Sequence, residues 1–208
     1  MFRRQIEVIG EENQKILSQK EVAIIGAGGL GNIIASSVSC IGLKTVYIVD
    51  FDEIEEHNLH RQFNFGLDDI GKKKALVLAK KVSRCKNTKI EAFADEFKNF
   101  NEKVDLIFDA TDNFEVRFQI DKFAKKNKIP WIYASVEELR GQAGVFIKSG
   151  FDMFATKSHT IKGQLPMMVN LIGSLASMLG VKTLINKQEE VFYYVDFNDD
   201  LQIKKFNF

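Results

Sequence analysis

Closely spaced glycines follow an apolar run near the start of this chain, in the segment GAGGLG that begins at Gly26. In such a turn one glycine permits a tight bend, a second lets the backbone approach a phosphate, and a third lets the next helix pack on the strand. The helix start then directs unpaired N–H groups at an anion. We therefore expect a nucleotide to bind at Gly26, Gly28, Gly29 and Gly31.

Two acids follow the next apolar run, in the segment Asp50-Phe51-Asp52. Asp50 lies 19 residues after Gly31, at the predicted carboxyl end of a strand. In dinucleotide-binding folds an acid at this place meets ribose hydroxyls. We predict ribose binding for Asp50. For Asp52 the alternative is a carboxylate that caps the loop.

Cations beyond the glycine turn distinguish between classes of nucleotide enzyme. Arg61 stands in the segment NLHRQ, where Asn58 and Gln62 could orient it, and Lys74 follows. A dehydrogenase needs no such cations, whereas a nucleoside triphosphate does, because charge builds on its phosphates during attack and departure. The pattern therefore predicts triphosphate chemistry at Arg61 and Lys74.

A third acidic segment, DATDN, closes another predicted strand at residues 109–113. The carboxyl ends of parallel strands border the ligand crevice, so a carboxylate here could hold Mg²⁺ together with phosphate oxygens. Asp112 also precedes a predicted helix and would cap it. From spacing alone, both interpretations of Asp112 stay open.

Apolar runs and helical patterns alternate along the first two thirds of the chain. This alternation indicates a parallel sheet with right-handed crossovers, so we expect an α/β, Rossmann-like fold with flanking helices. The predicted strands are residues 22–25, 45–49, 89–94, 104–108 and 131–134, and the predicted helices are residues 11–19, 30–41, 72–83 and 114–126.

The pattern changes after residue 135, where we predict a C-terminal antiparallel extension. Asn170 and Lys182 interrupt the long apolar helix, so we expect it to be buried rather than to span a membrane. The whole chain, residues 1–208, is predicted to be one domain with halves 1–135 and 136–208. The second half is predicted to contain a strand at 141–147, an aperiodic loop at 151–163, the helix at 166–185 and a hairpin of strands 191–195 and 201–206.

Charge and cysteine content exclude several classes of function. The chain has 29 lysines and arginines against 28 acids, which argues against a nucleic-acid or membrane-surface role. Cys40 and Cys85 form no CxxC pair and cannot complete a four-thiolate zinc site, so no zinc is expected. We expect both to be buried small residues in helices. With an N-terminus too charged for a signal peptide, these features predict a cytoplasmic protein.

The ordered motifs together resemble the adenylating enzymes of the E1-like superfamily, in the MoeB/ThiF branch. The resemblance runs from Arg3 to about Val195. The motifs that carry it are Arg4-Gln5, GAGGLG, DFD, NLHRQ, GKKK at 71–74, ATDN at 110–113, GQAGVF at 141–146 and IGSLAS at 172–177.

The resemblance implies ATP-dependent adenylation of the C-terminal carboxylate of a small ubiquitin-like protein that ends in Gly-Gly. Pyrophosphate would be released, and residues 136–208 would bind the carrier protein. Arg4 would reach across a homodimer into the partner's site. The other residues it assigns are Asp50 to the ribose, Asn58, Arg61, Gln62 and Lys74 to the phosphates, and Asp112 to Mg²⁺.

Departures from the branch limit the expected chemistry. The chain lacks the two zinc-binding CxxC pairs of typical members, and residues 151–165 hold no cysteine for a thioester or persulfide. The chemistry is therefore expected to stop at the adenylate of a thiamine-type sulfur carrier, or alternatively a molybdopterin-type carrier. Loop 151–163 is expected to be mobile until it binds the carrier's tail.

Two other classes of protein stay open: an NAD-dependent oxidoreductase with Tyr133 as its catalytic candidate, and a non-catalytic partner subunit.

Overall fold

An eight-stranded sheet organises the chain. The structure is a computed structural model that describes residues 1–153 and 163–208. The strands are β1 Glu21–Ile25, β2 Thr45–Val49, β3 Lys89–Phe93, β4 Leu106–Asp109, β5 Trp131–Glu137, β6 Arg140–Phe146, β7 Val191–Asp196 and β8 Gln202–Phe206. The helices are α1 Arg3–Ile9, α2 Glu11–Leu17, α3 Gly29–Val38, α4 Lys74–Val82, α5 Phe114–Asn127 and α6 Pro166–Leu184.

The strand order is β3-β2-β1-β4-β5-β6-β7-β8, parallel from β3 to β5 and antiparallel from β5 to β8. The chain builds outward from β1 to β3 and then returns to place β4 on the other side of β1. Ile25 of β1 is in register with Val49 of β2 and Asp109 of β4, so the three strands end level. The predicted α/β class with a C-terminal antiparallel extension is confirmed.

The period of two along each strand divides the core between the two faces of the sheet. Val22 and Ile24 of β1 join a cluster that also takes in buried side chains of α3, α4 and α6. Ala23 and Ile25 join a second cluster on the opposite face, where α5 contributes Ile120. Many members of both clusters lie in the predicted strands and helices, but Phe97 and Phe100 of the second cluster lie outside them.

Helix α6 packs closely on its neighbours because of its small residues. A Cβ atom at Gly173 would come within 2.7 Å of Ile33 on α3, and one at Gly180 would overlap the ring of Phe108 on β4. By length and composition α6 could cross a membrane, but 56% of its most apolar window is buried inside the protein. That burial favours the predicted core helix.

Local predictions at three places need correction. The sequence pattern did not predict α1, which is held by its packing against α2 and by the Gln5 amide. Asp112 does not cap α5: Asn113 is the N-cap, and its Oδ1 accepts from Glu115 N at 2.8 Å and Val116 N at 3.3 Å. Phe151 belongs to a short 3₁₀ turn and is buried among aromatic rings, whereas residues 154–162 of the predicted loop lie outside the described residues.

The two cysteines are not separate buried side chains. Cys40 and Cys85 form a disulfide with Cα atoms 5.4 Å apart, and both are half-buried. Neither lies inside a helix: Cys40 follows the end of α3 by two residues and Cys85 follows the end of α4 by three. Because α3 and α4 both run back from the same edge of the sheet, their ends meet. The cysteines therefore no longer support the predicted cytoplasmic location, because disulfides are rare in the cytoplasm.

Candidate active site

A pocket of about 530 Å³ opens where β1, β2 and β4 end, at the point where the strand order reverses. Open α/β sheets bind their ligands in this crevice, and the volume suits a nucleotide-sized molecule. Every predicted site residue lines the pocket except Gly31 and Arg4. The fold thus brings predicted side chains from separate segments of the chain to one pocket.

The glycine turn leaves one side open to the pocket. Gly26 has φ of +96°, and a Cβ atom there would lie 2.8 Å from the carbonyl oxygen of Ala110. A Cβ atom at Gly31 would overlap the Gly26 carbonyl oxygen, so Gly31 serves close packing, as predicted. A Cβ atom at Gly28 would instead meet only Gln62 Nε2, at 3.8 Å. The backbone at Gly28 is therefore open to an approaching phosphate.

Asp50 is the acid at the end of β2, and its two oxygens hold both neighbouring loops. Oδ2 accepts from Ala27 N at 2.6 Å and Oδ1 accepts from Asp52 N at 2.7 Å. Burial raises the pKa of Asp50, and these donors together with the charge of Lys74 oppose that rise. Each carboxylate oxygen can accept a second hydrogen bond, so the geometry fits a ribose hydroxyl.

Lys74 has a partner within the site. Its Nζ lies 2.8 Å from Asp52 Oδ2, and its side chain is 10% exposed at the first residue of α4. Asp52 is thus an ion-pair partner for Lys74 as well as a pocket-lining carboxylate. The lysine charge points into the pocket from a helix start, where an anion is favoured.

The sequence suggests that Asn58 and Gln62 orient Arg61, but the structure shows other partners for its guanidinium. Its Nε donates to Gln164 Oε1 at 2.9 Å and its Nη1 to the carbonyl oxygen of His57 at 3.2 Å. Asn58 is occupied in its own turn, where Oδ1 accepts from the backbone of Glu55 at 3.0 Å. No local sequence signal points to Gln164, because it is 103 residues from Arg61.

Gln62 and Asn58 are buried beside the glycine turn. Gln62 is 2% exposed and Asn58 is 4% exposed, yet both line the pocket. Within the described residues Gln62 Oε1 has no hydrogen-bond partner. A buried carbonyl oxygen without a donor is rare in folded proteins, which favours a bound molecule or water as its partner.

The DATDN segment contains one buried acid with structural partners, Asp109, and one exposed acid that faces the pocket, Asp112. Asp109 is fully buried, lies 3.2 Å from Arg117 Nε, and accepts from Thr111 N at 2.9 Å and Thr111 Oγ1 at 2.7 Å. Burial raises the pKa of Asp109, while Arg117 and Thr111 oppose that rise. Asp112 is exposed, lines the pocket, and has no ion pair or hydrogen bond from its carboxylate among residues 1–153 and 163–208.

Asp112 therefore fits a magnesium site, since Mg²⁺ takes one or two carboxylates and completes its shell with phosphates and water. In the described part of the chain no cluster of three or more His, Cys, Asp or Glu residues could hold a metal. A metal at this pocket would thus depend on a phosphate ligand.

Arg4 lies away from its own pocket. It is exposed on α1, whose Gln5 Nε2 donates to the carbonyl oxygen of Ile41 at 2.8 Å, beyond the far end of α3. A helix of ten residues is about 15 Å long, and the pocket lies at the start of α3. Within one chain the structure does not bring Arg4 to the other site residues.

Comparison with known proteins decides the family. The ThiF family model matches residues 2–206. The chain belongs to the ThiF family. Its predicted MoeB/ThiF resemblance is thereby confirmed.

Two curated relatives have similar sequences. The chain is 33% identical over 144 residues to MoeZ of Mycobacterium tuberculosis, described as a probable adenylyltransferase/sulfurtransferase, covering 66% of the chain and 37% of MoeZ. It is 31% identical over 144 residues to the sulfur carrier protein adenylyltransferase of Thermus thermophilus, covering 66% of the chain and 53% of that protein. The chain thus spans about half or less of the length of these relatives.

The fold is also that of solved structures. The E. coli MccB structure with MccA has a TM-score of 0.87 to this chain at 18% identity, covering 99% of the chain and 70% of MccB. At that identity the likeness shows a shared fold.

Proposed function

We propose that this ThiF-family chain adenylates the C-terminal carboxylate of a small ubiquitin-like sulfur-carrier protein that ends in Gly-Gly. The observation that carries the proposal is the pocket itself, where Arg61 and Lys74 face an open glycine turn and Asp112, an acid without a partner among the described residues. The names of the relatives agree with an adenylyltransferase of this type. Because the chain spans only part of those relatives, its activity and partners are part of the proposal.

In the proposed reaction a carboxylate oxygen of the carrier attacks the α-phosphorus of ATP. The bond from that phosphorus to the bridging oxygen breaks, pyrophosphate leaves, and the carrier becomes an acyl-adenylate. No base is needed, because a carboxyl group is already ionised at neutral pH. The difficulty is charge, since both reactants are anions.

The residues of the pocket address that charge. Arg61 and Lys74 would stabilise the negative charge that develops on the phosphates, and Asp50 would hold the ribose. Lys74 would then share its ammonium between Asp52 and a phosphate oxygen, because it is already paired. Mg²⁺ bound with Asp112 would neutralise further phosphate charge.

The NAD-dependent alternative is disfavoured by the position of its catalytic candidate. Tyr133 is 5% exposed, its hydroxyl lies 3.0 Å from Gln142 Oε1, and it is absent from the pocket lining. A buried tyrosine within an aromatic cluster has no access to a hydride acceptor. The non-catalytic alternative would be favoured by loss of Arg61 or Asp112, and both are present.

For the carrier we propose the thiamine type first and the molybdopterin type second, because the sequence lacks the zinc-binding CxxC pairs of typical MoeB-like members. We also propose a homodimer in which Arg4 serves the partner's site. The exposed position of Arg4 outside its own pocket supports that arrangement.

The test is ATP–pyrophosphate exchange with purified thiamine-type and molybdopterin-type carriers. Arg61→Ala and Asp112→Ala should each lower exchange by about 100-fold or more, the scale of losing one transition-state stabiliser. Arg84→Ala and Asp199→Ala, which remove an exposed charge elsewhere, are the matched controls. Near wild-type exchange in both pocket variants, or no exchange with any Gly-Gly carrier, would refute the proposal.

A further inference from the structure

Gln164 contacts Arg61 through an amide whose two ends are both engaged. Its Oε1 accepts from Arg61 Nε at 2.9 Å, and its Nε2 donates to the carbonyl oxygen of Val136 at 3.3 Å. A flipped amide would place N–H against N–H and oxygen against oxygen. The orientation of Gln164 is therefore set by its neighbours, and so is the acceptor it presents to Arg61.

The backbone of Gln164 is anchored as well. Glu138 N donates to the carbonyl oxygen of Gly163 at 2.7 Å, and Glu138 forms a β-bridge with Gln164. Glu138 lies between β5 and β6 with φ of +52°, an uncommon conformation for a residue other than glycine. Gln164 thus extends from a fixed point at the end of β5, just before α6 begins.

These contacts engage Nε and Nη1 of the guanidinium and leave Nη2 for a ligand. Arg61 Nη1 donates to the carbonyl oxygen of His57 at 3.2 Å. Its Cγ passes 3.5 Å from the place where a Cβ atom of Gly29 would stand. Across the described ranges Nη2 has no hydrogen-bond partner. Within those ranges Nη2 is thus free for a ligand, and Arg61 lines the same pocket as the glycine turn.

Holding an arginine in one rotamer matters because its side chain loses substantial conformational entropy when it is ordered on a ligand. Catalytic groups perform best when their neighbours lock them before the ligand arrives. Gln164 is suited to that task, since its own amide is held by two hydrogen bonds and it accepts from Nε, which leaves Nη2 to an anion. An anion can then take the outer N–H groups without competing with Gln164.

We propose that Gln164 is a positioning residue that orients the Arg61 guanidinium toward the nucleotide phosphates and ties it to the end of β5. The identity of the anion rests on the proposed function, whereas the orientation of Arg61 does not. Gln164 acts only through Arg61, so removing it should matter only where Arg61 is present.

The first experiment tests the contact without any ligand. In ¹⁵N-labelled protein the Arg61 Nε–Hε resonance, assigned by its absence in Arg61→Ala, should be visible at neutral pH because Gln164 protects the proton. Gln164→Leu should broaden or remove it, and Gln188→Leu, which changes an amide outside the site, should leave it unchanged. An unaltered resonance in Gln164→Leu would overturn the proposal.

The second experiment is a double-mutant cycle that combines Gln164→Leu with Arg61→Ala. Binding of a non-hydrolysable ATP analogue with Mg²⁺, measured by calorimetry, should weaken about tenfold on Gln164→Leu, the scale of one charge-assisted hydrogen bond. In the Arg61→Ala background the same change should have less than about a twofold effect. Equal losses in both backgrounds would mean a structural role and would overturn the proposal.

Pyrophosphate exchange separates this inference from the proposed function. Gln164→Leu should lower kcat for exchange about tenfold or more while the carrier KM stays within about twofold. If wild-type protein exchanges nothing with any carrier, the proposed function fails, and the resonance and the binding cycle still decide the role of Gln164. A melting temperature within about 2 °C of wild type shows that Gln164→Leu is folded.

Discussion

Reducing the Cys40–Cys85 disulfide should lower stability substantially while leaving the pocket in place. The bond closes a loop of 45 residues that contains β2, Asp50, Arg61 and Lys74. For such a loop the chain-entropy relation gives about 13 cal/mol/K, or about 4 kcal/mol at 25 °C. A chain of this size loses about 2–4 °C of melting temperature per kcal/mol, so the expected fall is about 8–16 °C.

The site should tolerate this change because of where the bond lies. It joins the far ends of α3 and α4, whose first residues border the pocket. Affinity for an ATP analogue should therefore stay within about twofold, since packing on the sheet still holds both helices.

Calorimetric melting with and without dithiothreitol measures the effect, with thiol titration to establish reduction. The Cys40→Ser/Cys85→Ser variant is the control, and its melting temperature should match the reduced protein and ignore dithiothreitol. A fall of less than about 2 °C on full reduction would refute the entropy argument. A tenfold loss of nucleotide affinity would instead show that the disulfide helps to maintain the geometry of the pocket.

The remaining predictions concern three other features. The Glu190 carboxylate accepts from the backbone of residues 147–149 at 2.7–2.8 Å; burial opposes its ionised form, but these donors prevail and lower its pKa. A carboxylate with a lowered pKa stabilises the fold at pH values above its unfolded-state pKa, and this stabilisation is lost as the pH falls through its folded-state pKa. Glu190→Gln should therefore reduce the melting temperature by about 2–4 °C at pH 7. That difference should shrink as the pH falls below the ordinary glutamate pKa of about 4.3, and a pH-independent difference would contradict the reasoning. Gly28→Ala should leave the melting temperature unchanged but weaken ATP-analogue binding about tenfold. Gly31→Ala should instead lower the free energy of unfolding by about 1–3 kcal/mol, because its Cβ would overlap a carbonyl oxygen. The opposite pattern would refute the roles of the two glycines. Mixing inactive Arg4→Ala and Asp112→Ala proteins should restore about a quarter of wild-type exchange if the arginine acts across a two-fold dimer, and no recovery would exclude that role.

Most of the sheet could be predicted because its strands are short apolar runs that end in glycine or aspartate. The run before Gly26 and the run before Asp50 both became buried strands with the expected ends. The glycine turn and the acids at strand ends followed, since parallel strands place their carboxyl ends at one edge. Local pattern and global fold agree in this half of the chain.

The features that were missed depend on contacts between distant residues. Nothing local links Cys40 to Cys85 or Arg61 to Gln164, which meet only after the helices and β5 are in place. The capping alternative for Asp112 was wrong because aspartate and asparagine are both good caps and stand side by side, and Asn113 is the N-cap of α5. Sequence spacing supplies the site residues, whereas their partners require the fold.

The buried pair of Asp109 and Arg117 constrains how this protein can change over time. Removing one partner of a buried ion pair costs about 3–5 kcal/mol, a large part of the 5–15 kcal/mol that holds a domain together. Either single substitution would therefore be purged before the second could arise. The Thr111 side chain, whose Oγ1 donates to Asp109 Oδ1 at 2.7 Å, is constrained through the same pair. Descendants of this sequence should keep the pair intact or lose it in a single step, although neither residue needs to touch the nucleotide.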